Sequence, residues 1–217
     1  GSAFKPFVYA TALDLGMTPM DMINDIPACW YSSGSGDWCP NNYDDKFKGP
    51  VTMTQALRES RNIPAVVLSE QMGREIVRKV ATGFGIESDL AAGPALALGA
   101  SESTLIEMTG AYAGILNGGS SVTPYGLLDL RMQVDAEPLM DSAGTGIGER
   151  VIQEHAAREL MWMMSQVVSA EGGTGARARI DGWEIAGKTG TTSAARDAWF
   201  IGFTGEFVTG VWMGYDD

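Results

Sequence analysis

Three short strings in a fixed order constrain this chain more than any other feature. They are Ser2-Ala3-Phe4-Lys5, Ser60-Arg61-Asn62 and Lys188-Thr189-Gly190-Thr191. The first two patterns are common enough to arise by chance, but the chain contains a single S-x-x-K and a single S-x-N. Together the strings supply two serine hydroxyls, two lysine amines and an asparagine amide, which are groups that an acyl-transfer site uses. The fold that this chain adopts must therefore bring positions 2, 60 and 188 into one pocket.

The composition is that of an ordinary globular protein. The 217 residues are 45% hydrophobic and 19% charged, which allows one large domain or two small ones. A net charge of −12 without a basic stripe makes nucleic acid and anionic lipid poor partners. No apolar run approaches the roughly 20 residues of a membrane span, and no signal peptide opens the chain. Because enzymes rarely place a nucleophile on a frayed terminus, we interpret the chain as a piece of a longer protein with any signal or anchor upstream.

Apolar spacing and capping residues predict six helices along the chain. The predicted helices cover 2–15, a short stretch after 52 that ends near Ser60, 65–72, 75–81, 104–116 and 154–169. Capping-box pairs mark two of the starts, at Thr52 with Gln55 and at Thr104 with Glu107. The stretch 18–50, which is rich in Pro, Gly, Asn and Asp, is predicted to be a long functional or covering loop.

The last part of the chain has a different pattern. Short strand-like stretches at 183–192, 198–204 and 207–215 are separated by turn residues, and 125–134 with its neighbours is predicted to form a small hairpin. Helices followed by a run of neighbouring strands predict an α+β fold, in which helices cover an antiparallel sheet.

Ser2 and Lys5 have the spacing of a nucleophile and its base. A serine attacks a carbonyl only if another group removes its proton, and residues three apart share a helix face. Lys5 must be neutral to accept that proton, and burial together with a second cation lowers a lysine pKa. Lys188 is the candidate for that second cation. The helix start adds a field that favours negative charge on Ser2.

The other two strings supply the remaining parts of such a site. Ser60 is placed as a proton relay, and Asn62 fixes Lys5 or binds a substrate amide. The string at 188–191 lies in a strand pattern, where an edge strand pairs with an extended peptide and Gly190 permits close approach. We expect Lys188, Thr189 and Thr191 to bind a substrate carboxylate, and the backbone N–H groups of Ser2 and Thr191 to form an oxyanion hole.

Each of these residues has an ordinary structural interpretation when it is taken alone. Ser2 is then a helix cap, Lys5 a surface lysine, and Ser60 with Asn62 the end of a helix. His155 lies near a helix start and is expected to take no catalytic part, which argues against a Ser-His-Asp triad. Cys29 and Cys39 are either a disulfide in an oxidising compartment or two free thiols. Two cysteines and one histidine are too few for a metal site, and we expect no metal and no cofactor.

The strings and their surroundings resemble the transpeptidase domain of bifunctional class A penicillin-binding proteins, which cross-link bacterial peptidoglycan. The resemblance runs from Gly1 to Asp217. Beyond the three strings it includes Pro40-Asn41-Asn42-Tyr43-Asp44, Gly49-Pro50-Val51-Thr52, Leu98-Gly99-Ala100-Ser101-Glu102, Ala111-Tyr112-Ala113, Asn117-Gly118-Gly119, Asp197-Ala198-Trp199-Phe200-Ile201-Gly202-Phe203 and Gly210-Val211-Trp212-Met213-Gly214-Tyr215.

The resemblance implies an extracytoplasmic enzyme, membrane-anchored at full length, that acts on stem peptides ending in D-Ala-D-Ala. The serine is acylated, D-Ala leaves, and an amine of a neighbouring stem takes the acyl group; β-lactam antibiotics acylate the same serine. The implied roles are a nucleophile, Ser2; a base, Lys5; a relay pair, Ser60 and Asn62; and a carboxylate site, Lys188, Thr189 and Thr191.

Residues 1–217 correspond to a partial transpeptidase domain in this comparison. The family has sheet strands before the serine helix, a helix after the last strand, a glycosyltransferase domain and an anchor, and the chain contains none of them. We therefore expect an unpaired sheet edge and an isolated fragment that is unstable or inactive. Residues 133–148 are the least family-like.

Two other functions stay open from the sequence. A D,D-carboxypeptidase or β-lactamase of the same superfamily differs in letting water deacylate the serine, and the chain has no Glu-x-x-x-Asn element of the kind class A β-lactamases use for that water. A non-catalytic penicillin-binding sensor or scaffold keeps Ser2 and Lys5 without turnover. These alternatives differ in the fate of an acylated serine.

Overall fold

The computed structural model describes residues 1–217 except 33, 35, 134–136, 143, 145, 193–195 and 216–217. The helices in the described residues are α1 Lys5–Asp14, α2 Met53–Arg58, α3 Asn62–Met72, α4 Arg74–Gly83, α5 Leu105–Leu116 and α6 Glu154–Ser169. Three 3-10 turns cover Ser2–Phe4, Pro94–Leu98 and Ala176–Ala178. The strands are β1 Met22–Asp25, β2 Trp30–Ser32, β3 Gly36–Trp38, β4 Gly49–Thr52, β5 Ser120–Val122, β6 Asp129–Leu130, β7 Met140–Asp141, β8 Ile147–Arg150, β9 Ala186–Thr191, β10 Asp197–Phe203 and β11 Val208–Gly214.

The largest sheet is antiparallel, with the strand order β11-β10-β9. Phe200 lies opposite Thr189 on one side and Val211 on the other, which fixes the register of all three strands. Helix α6 packs against β9, and α5 packs against β10 and β11. The predicted α+β fold, an antiparallel sheet covered by helices, is confirmed.

Helix α1 lies at the centre of the molecule. Apolar residues occur on every side of it, and nine of its ten residues are buried, as expected for a helix surrounded by other elements. It contacts α3, α4 and α6. The Phe7 ring packs edge-on against Tyr112 at a centroid distance of 6.0 Å and also contacts Phe84. The core therefore holds the helix that follows Ser2 in one position.

The stretch predicted to be a loop, 18–50, is more ordered than its composition indicates. Strand β1 pairs with β4, and β2 pairs with β3 in a hairpin. Cys29 and Cys39 form a disulfide that closes this hairpin, so the alternative of two free thiols was wrong. The strands are three or four residues long, too short for an alternating pattern to stand out among the turn residues.

The other boundary differences are small and have local causes. Helix α3 begins at Asn62 rather than 65, because Pro64 still lies in the first turn, where its missing N–H has no helical partner. Strand β9 begins at Ala186 rather than 183, since its partner β10 ends opposite that residue at Phe203. The hairpin predicted around 125–134 pairs β6 with β7, and Val134 lies outside the described residues.

Candidate active site

Ser2 lies in the 3-10 turn that leads into α1 and is partly buried. The backbone N–H of Lys5 donates to the carbonyl of Ser2, so the turn places the two residues one above the other. The buried Tyr112 hydroxyl donates to the carbonyl of Ala3 at 2.6 Å and holds the turn from the core side. Tyr112 lies in the string Ala111-Tyr112-Ala113, which is part of the resemblance described above. Its contact with the serine turn was not predicted.

The Lys5 side chain is fully buried, and its hydrogen-bond partners belong to the second string. Its Nζ donates to the Ser60 carbonyl at 2.6 Å and to Asn62 Oδ1 at 2.7 Å. A neutral amine has two N–H bonds and one lone pair. With both N–H groups engaged by these carbonyls, the lone pair of a neutral Lys5 is free to accept a hydroxyl proton.

Ser60 bridges the two lysines. Its Oγ lies 2.9 Å from Lys188 Nζ and 3.3 Å from Lys5 Nζ. The backbone of Ser60 has a φ of 57°, a left-handed conformation that is uncommon for a residue other than glycine. Such outliers are kept where the surrounding structure over-determines them, often at functional sites. The conformation turns both the carbonyl and the hydroxyl of Ser60 toward lysine nitrogens.

Burial and charge shift the pKa values of both lysines downward. The pKa of Lys5 is held well below its ordinary value, first by burial and then by the nearby charges of Lys188 and Arg61, which Asp25 partly opposes. Burial lowers the pKa of Lys188 to about 7. Lys188 thus acts on the pKa of Lys5 in the direction expected from the sequence. The site therefore favours a neutral amine where a base is needed.

Strand β9 runs directly beside the serine turn. A Cβ added to Gly190 would lie 3.0 Å from the Ala3 nitrogen and 3.2 Å from the Ala3 Cβ, so a larger residue would push the strand and the turn apart. A Cβ on Gly1 would lie 3.7 Å from the Thr191 nitrogen. Among the described residues β9 pairs only with β10, so β9 is an edge strand, the position that the predicted pairing with an extended ligand requires.

The residues of the second string are held by a polar network that sequence reasoning missed, in which Asp25, Asn42 and Arg61 are buried and Asp44 is exposed. Asn42 Oδ1 accepts from the Asn62 backbone N–H at 2.7 Å, and Asn42 Nδ2 donates to Asp25 Oδ1 at 2.7 Å. The Arg61 Nε donates to Asp25 Oδ2 at 2.9 Å, and Arg61 Nη1 donates to Asp44 at 3.0 Å. Asp25 and Arg61 are 36 residues apart, so no sequence spacing indicates that they form an ion pair.

A second unpredicted residue adjoins the third string. The hydroxyl oxygens of Thr174 and Thr189 lie 2.9 Å apart. Lys188 Nζ donates to the Thr189 carbonyl at 3.0 Å. The structure thus links Lys5 to Ser60 and Asn62, and Ser60 to Lys188, by hydrogen bonds. The turn that contains Ser2 lies next to Gly190 and Thr191 of β9. His155 is exposed on α6 and makes none of the hydrogen bonds of this site.

The sequence profile of the penicillin-binding protein transpeptidase domain matches residues 1–213. The chain belongs to the penicillin-binding protein transpeptidase family. Penicillin-binding protein 1A of Aquifex aeolicus is 38% identical over the whole of this transpeptidase chain, and that of Neisseria cinerea is 34% identical. The chain spans 29% and 28% of the length of these two relatives.

Solved structures of the family share the fold of this transpeptidase domain. Penicillin-binding protein 1A from Haemophilus influenzae superposes with a TM-score of 0.86 at 29% identity, over 100% of this chain and 38% of that one. Penicillin-binding protein A from M. tuberculosis, solved as an imipenem acyl-enzyme complex, has a TM-score of 0.81 at 24% identity, over 99% and 55%. The second likeness supports the fold alone.

The described part of this transpeptidase domain contains neither a candidate transmembrane helix nor a candidate metal site. None of its helices combines the length and the hydropathy of a transmembrane segment. In the same described residues, no three or more His, Cys, Asp or Glu side chains are grouped as they would be around a metal ion.

Proposed function

We propose that this chain is an acyl-serine D,D-transpeptidase that cross-links peptidoglycan stem peptides at D-Ala-D-Ala, on the extracytoplasmic side of the membrane. The bridge from Lys5 through the Ser60 hydroxyl to Lys188 carries the proposal, because it joins a base, a relay and a cation beside Ser2. Membership of the penicillin-binding protein family supports the same conclusion. No cofactor takes part in the proposed reaction.

In the acylation step, Ser2 Oγ attacks the carbonyl carbon of the penultimate D-Ala and neutral Lys5 accepts its proton. The backbone N–H groups of Ser2 and Thr191 stabilise the oxyanion. The C–N bond to the terminal D-Ala then breaks, and the proton passes from Lys5 through the Ser60 hydroxyl to the departing nitrogen. An acyl ester on Ser2 and free D-Ala result.

In the second step, an amine from a neighbouring stem attacks the ester. Lys5 takes the proton that the amine loses, and the Ser2 oxygen recovers a proton as the ester breaks. One peptide bond has been exchanged for another, so the cross-link needs no external energy source. Lys188, Thr189 and Thr191 hold the substrate carboxylate on the open edge of β9 throughout the acylation step. A β-lactam acylates Ser2 by the same first step.

The test uses the full-length protein that contains this chain. The protein is labelled with a fluorescent penicillin, and separately it is supplied with a stem peptide and an acceptor amine. We expect a covalent label and a cross-linked dimer, and Ser2→Ala should give neither. Hydrolysis without dimer would support the carboxypeptidase or β-lactamase alternative. A permanent label without turnover would support the sensor, and labelling of Ser2→Ala would remove the assignment.

A further inference from the structure

Thr174 is a polar residue beside the site that the proposed mechanism does not use. It lies in the glycine-rich loop between α6 and the 3-10 turn Ala176–Ala178, and it is exposed. Its hydroxyl oxygen is 2.9 Å from that of Thr189, a residue proposed to bind the substrate carboxylate. Thr174 therefore contacts the proposed carboxylate site through Thr189.

The loop that carries Thr174 is fixed on both sides of this residue. The Thr174 backbone N–H donates to the Arg58 carbonyl at 3.2 Å, which ties the loop to the end of α2 just before Ser60. The Gly175 N–H donates to the Val167 carbonyl at 2.9 Å. A Cβ on Gly173 would lie 2.3 Å from the same Val167 oxygen, so the loop passes α6 too closely for a side chain there. These backbone contacts fix the loop and thereby hold the Thr174 hydroxyl beside Thr189.

The hydrogen-bonding capacity of Thr189 determines which of the two hydroxyls donates when a carboxylate is bound. A hydroxyl has one proton to donate and two lone pairs that accept. A carboxylate only accepts, so Thr189 binds it by donating its single proton. The Thr189 oxygen then has to accept from its protein neighbours. Thr174 lies within hydrogen-bond distance, and Lys188 Nζ lies at 3.5 Å, the limit of that range.

In the structure the Thr189 hydroxyl donates to Thr174 Oγ1. We propose that Thr174 is a positioning residue: when a substrate carboxylate accepts the Thr189 O–H, this hydrogen bond reverses, and the Thr174 hydroxyl donates to Thr189 Oγ1 and holds the Thr189 proton on the carboxylate. The proposal rests on the proposed function. With Thr174 and Lys188 as donors, both lone pairs of Thr189 are engaged, and its proton points to the open cleft. Thr174 thus contributes to the selection of acyl donors that end in a free carboxylate, without touching the reacting atoms.

The test compares two thioester donors with the full-length protein. They share the acyl group, and their leaving groups differ only in bearing a carboxylate or the corresponding carboxamide. We expect the wild type to prefer the carboxylate donor. Thr174→Val should lower kcat/KM for that donor by roughly fivefold, the effect of one hydrogen bond, and leave the carboxamide donor unchanged. Thr174→Ser, which keeps the hydroxyl, should restore the preference.

Matched variants separate this role from a general effect on folding. Thr82→Val, at an exposed threonine of α4, should change neither donor. Thr189→Val should lose the preference, and Thr174→Val should have no further effect in that background. If thermal melting finds Thr174→Val unfolded, Thr174→Ala is measured in its place, with the same narrowed preference expected.

If Thr174→Val lowers kcat/KM equally for both donors, or for neither donor, the proposal is overturned, because the effect of Thr174 then does not depend on the carboxylate. A wild type that does not distinguish the donors would overturn it as well. The Ser2→Ala variant distinguishes failure of the proposed function from failure of the role proposed for Thr174. If Ser2→Ala still turns over the donors, the proposed function itself fails, whereas an inactive Ser2→Ala with an unchanged Thr174→Val removes only the role of Thr174.

Discussion

The Nζ of Lys188 lies 2.9 Å from the Oγ of Ser60, whose other lysine neighbour is Lys5 at 3.3 Å. A residue from the third string is thus joined to one from the first through a single hydroxyl. Both lysines are fully buried, and the charge of Lys188 makes it harder for Lys5 to carry a charge. This relationship leads to two predictions about pH.

Replacing Lys188 should shift the pH dependence of acylation. Lys188→Met removes a positive charge near Lys5, which stabilises the Lys5 ammonium form and raises the Lys5 pKa. The acidic limb of the pH profile for penicillin acylation should therefore move to higher pH. The maximal rate should also fall by roughly a hundredfold, because the proton relay loses a partner. An acidic limb at the wild-type position would contradict the coupling of the two lysines.

Stability should rise with pH above neutrality. The pKa of Lys188 is about 7 in the fold against an ordinary value of 10.5, so between these values the unfolded chain holds a proton that the folded chain has released. The free energy of unfolding then increases with pH, by up to about 1.4 kcal/mol per pH unit for this lysine. It declines as pH falls toward 7. Urea unfolding of the wild type and Lys188→Met at several pH values tests this: the variant should show the smaller slope, and equal slopes would contradict the account.

The network around Asp25 should matter for both stability and acylation. Asp25→Asn leaves the Arg61 guanidinium, itself 5% exposed, with Asp44 as its remaining carboxylate, and we expect a loss of about 3 kcal/mol in unfolding free energy. Acylation should slow as well, since Asn42 and then Asn62 lose their anchor. The matched control is Asp129→Asn, which breaks an exposed pair with Arg131 and should cost less than about 1 kcal/mol. Equal losses in the two variants would show that burial of the pair has no consequence.

Gly190→Ala should impair acylation through a steric effect alone. The added methyl would lie 3.0 Å from the Ala3 nitrogen and 3.2 Å from the Trp199 Cβ, so β9 has to move away from the serine turn. We expect a fall of roughly tenfold or more in the penicillin acylation rate, because small displacements of reacting groups are costly. Gly205→Ala is the control, since its added methyl would meet nothing within 4 Å. An unchanged rate in Gly190→Ala would mean that this close approach does not position the site.

Loss of the disulfide should destabilise the hairpin that carries Cys29 and Cys39. The two cysteines are 10 residues apart, and closing such a loop contributes about 2–3 kcal/mol in the chain-entropy model. The chain leaving Cys39 leads through Pro40 to Asn41, whose carbonyl accepts from the Asn62 side chain. The Cys29→Ser/Cys39→Ser variant should therefore melt at lower temperature and acylate more slowly. A variant as stable as the wild type would contradict a structural role for the bond.

Much of this fold follows from local sequence. The apolar residues of 2–15 have helical spacing, and the residues of β9, β10 and β11 are separated by recognisable turns, so the helix after Ser2 and the antiparallel sheet were predictable. The resemblance carried by the three strings also identified the family. These features are local, and a short segment contains all the information that defines them.

The features that the sequence did not reveal depend on distant partners. The left-handed backbone of Ser60 is adopted by a residue with no intrinsic preference for it, within a turn that Asn42 and Asp25 hold from positions 18 and 35 residues earlier. Thr174 is an exposed threonine among glycines, a pattern typical of any turn. Only the tertiary structure places its hydroxyl against Thr189. Likewise, the pairing of β1 with β4 joins strands too short to be recognised singly.

The proposed mechanism requires Ser2 to be the residue that forms the covalent bond. The direct measurement is peptide mapping by mass spectrometry of the full-length protein after reaction with benzylpenicillin. We predict the penicilloyl group on the peptide that contains Ser2, and its absence from Lys5→Met, which keeps the hydroxyl but lacks the base. A penicilloyl group on Ser60 or on any other residue would contradict the proposed mechanism.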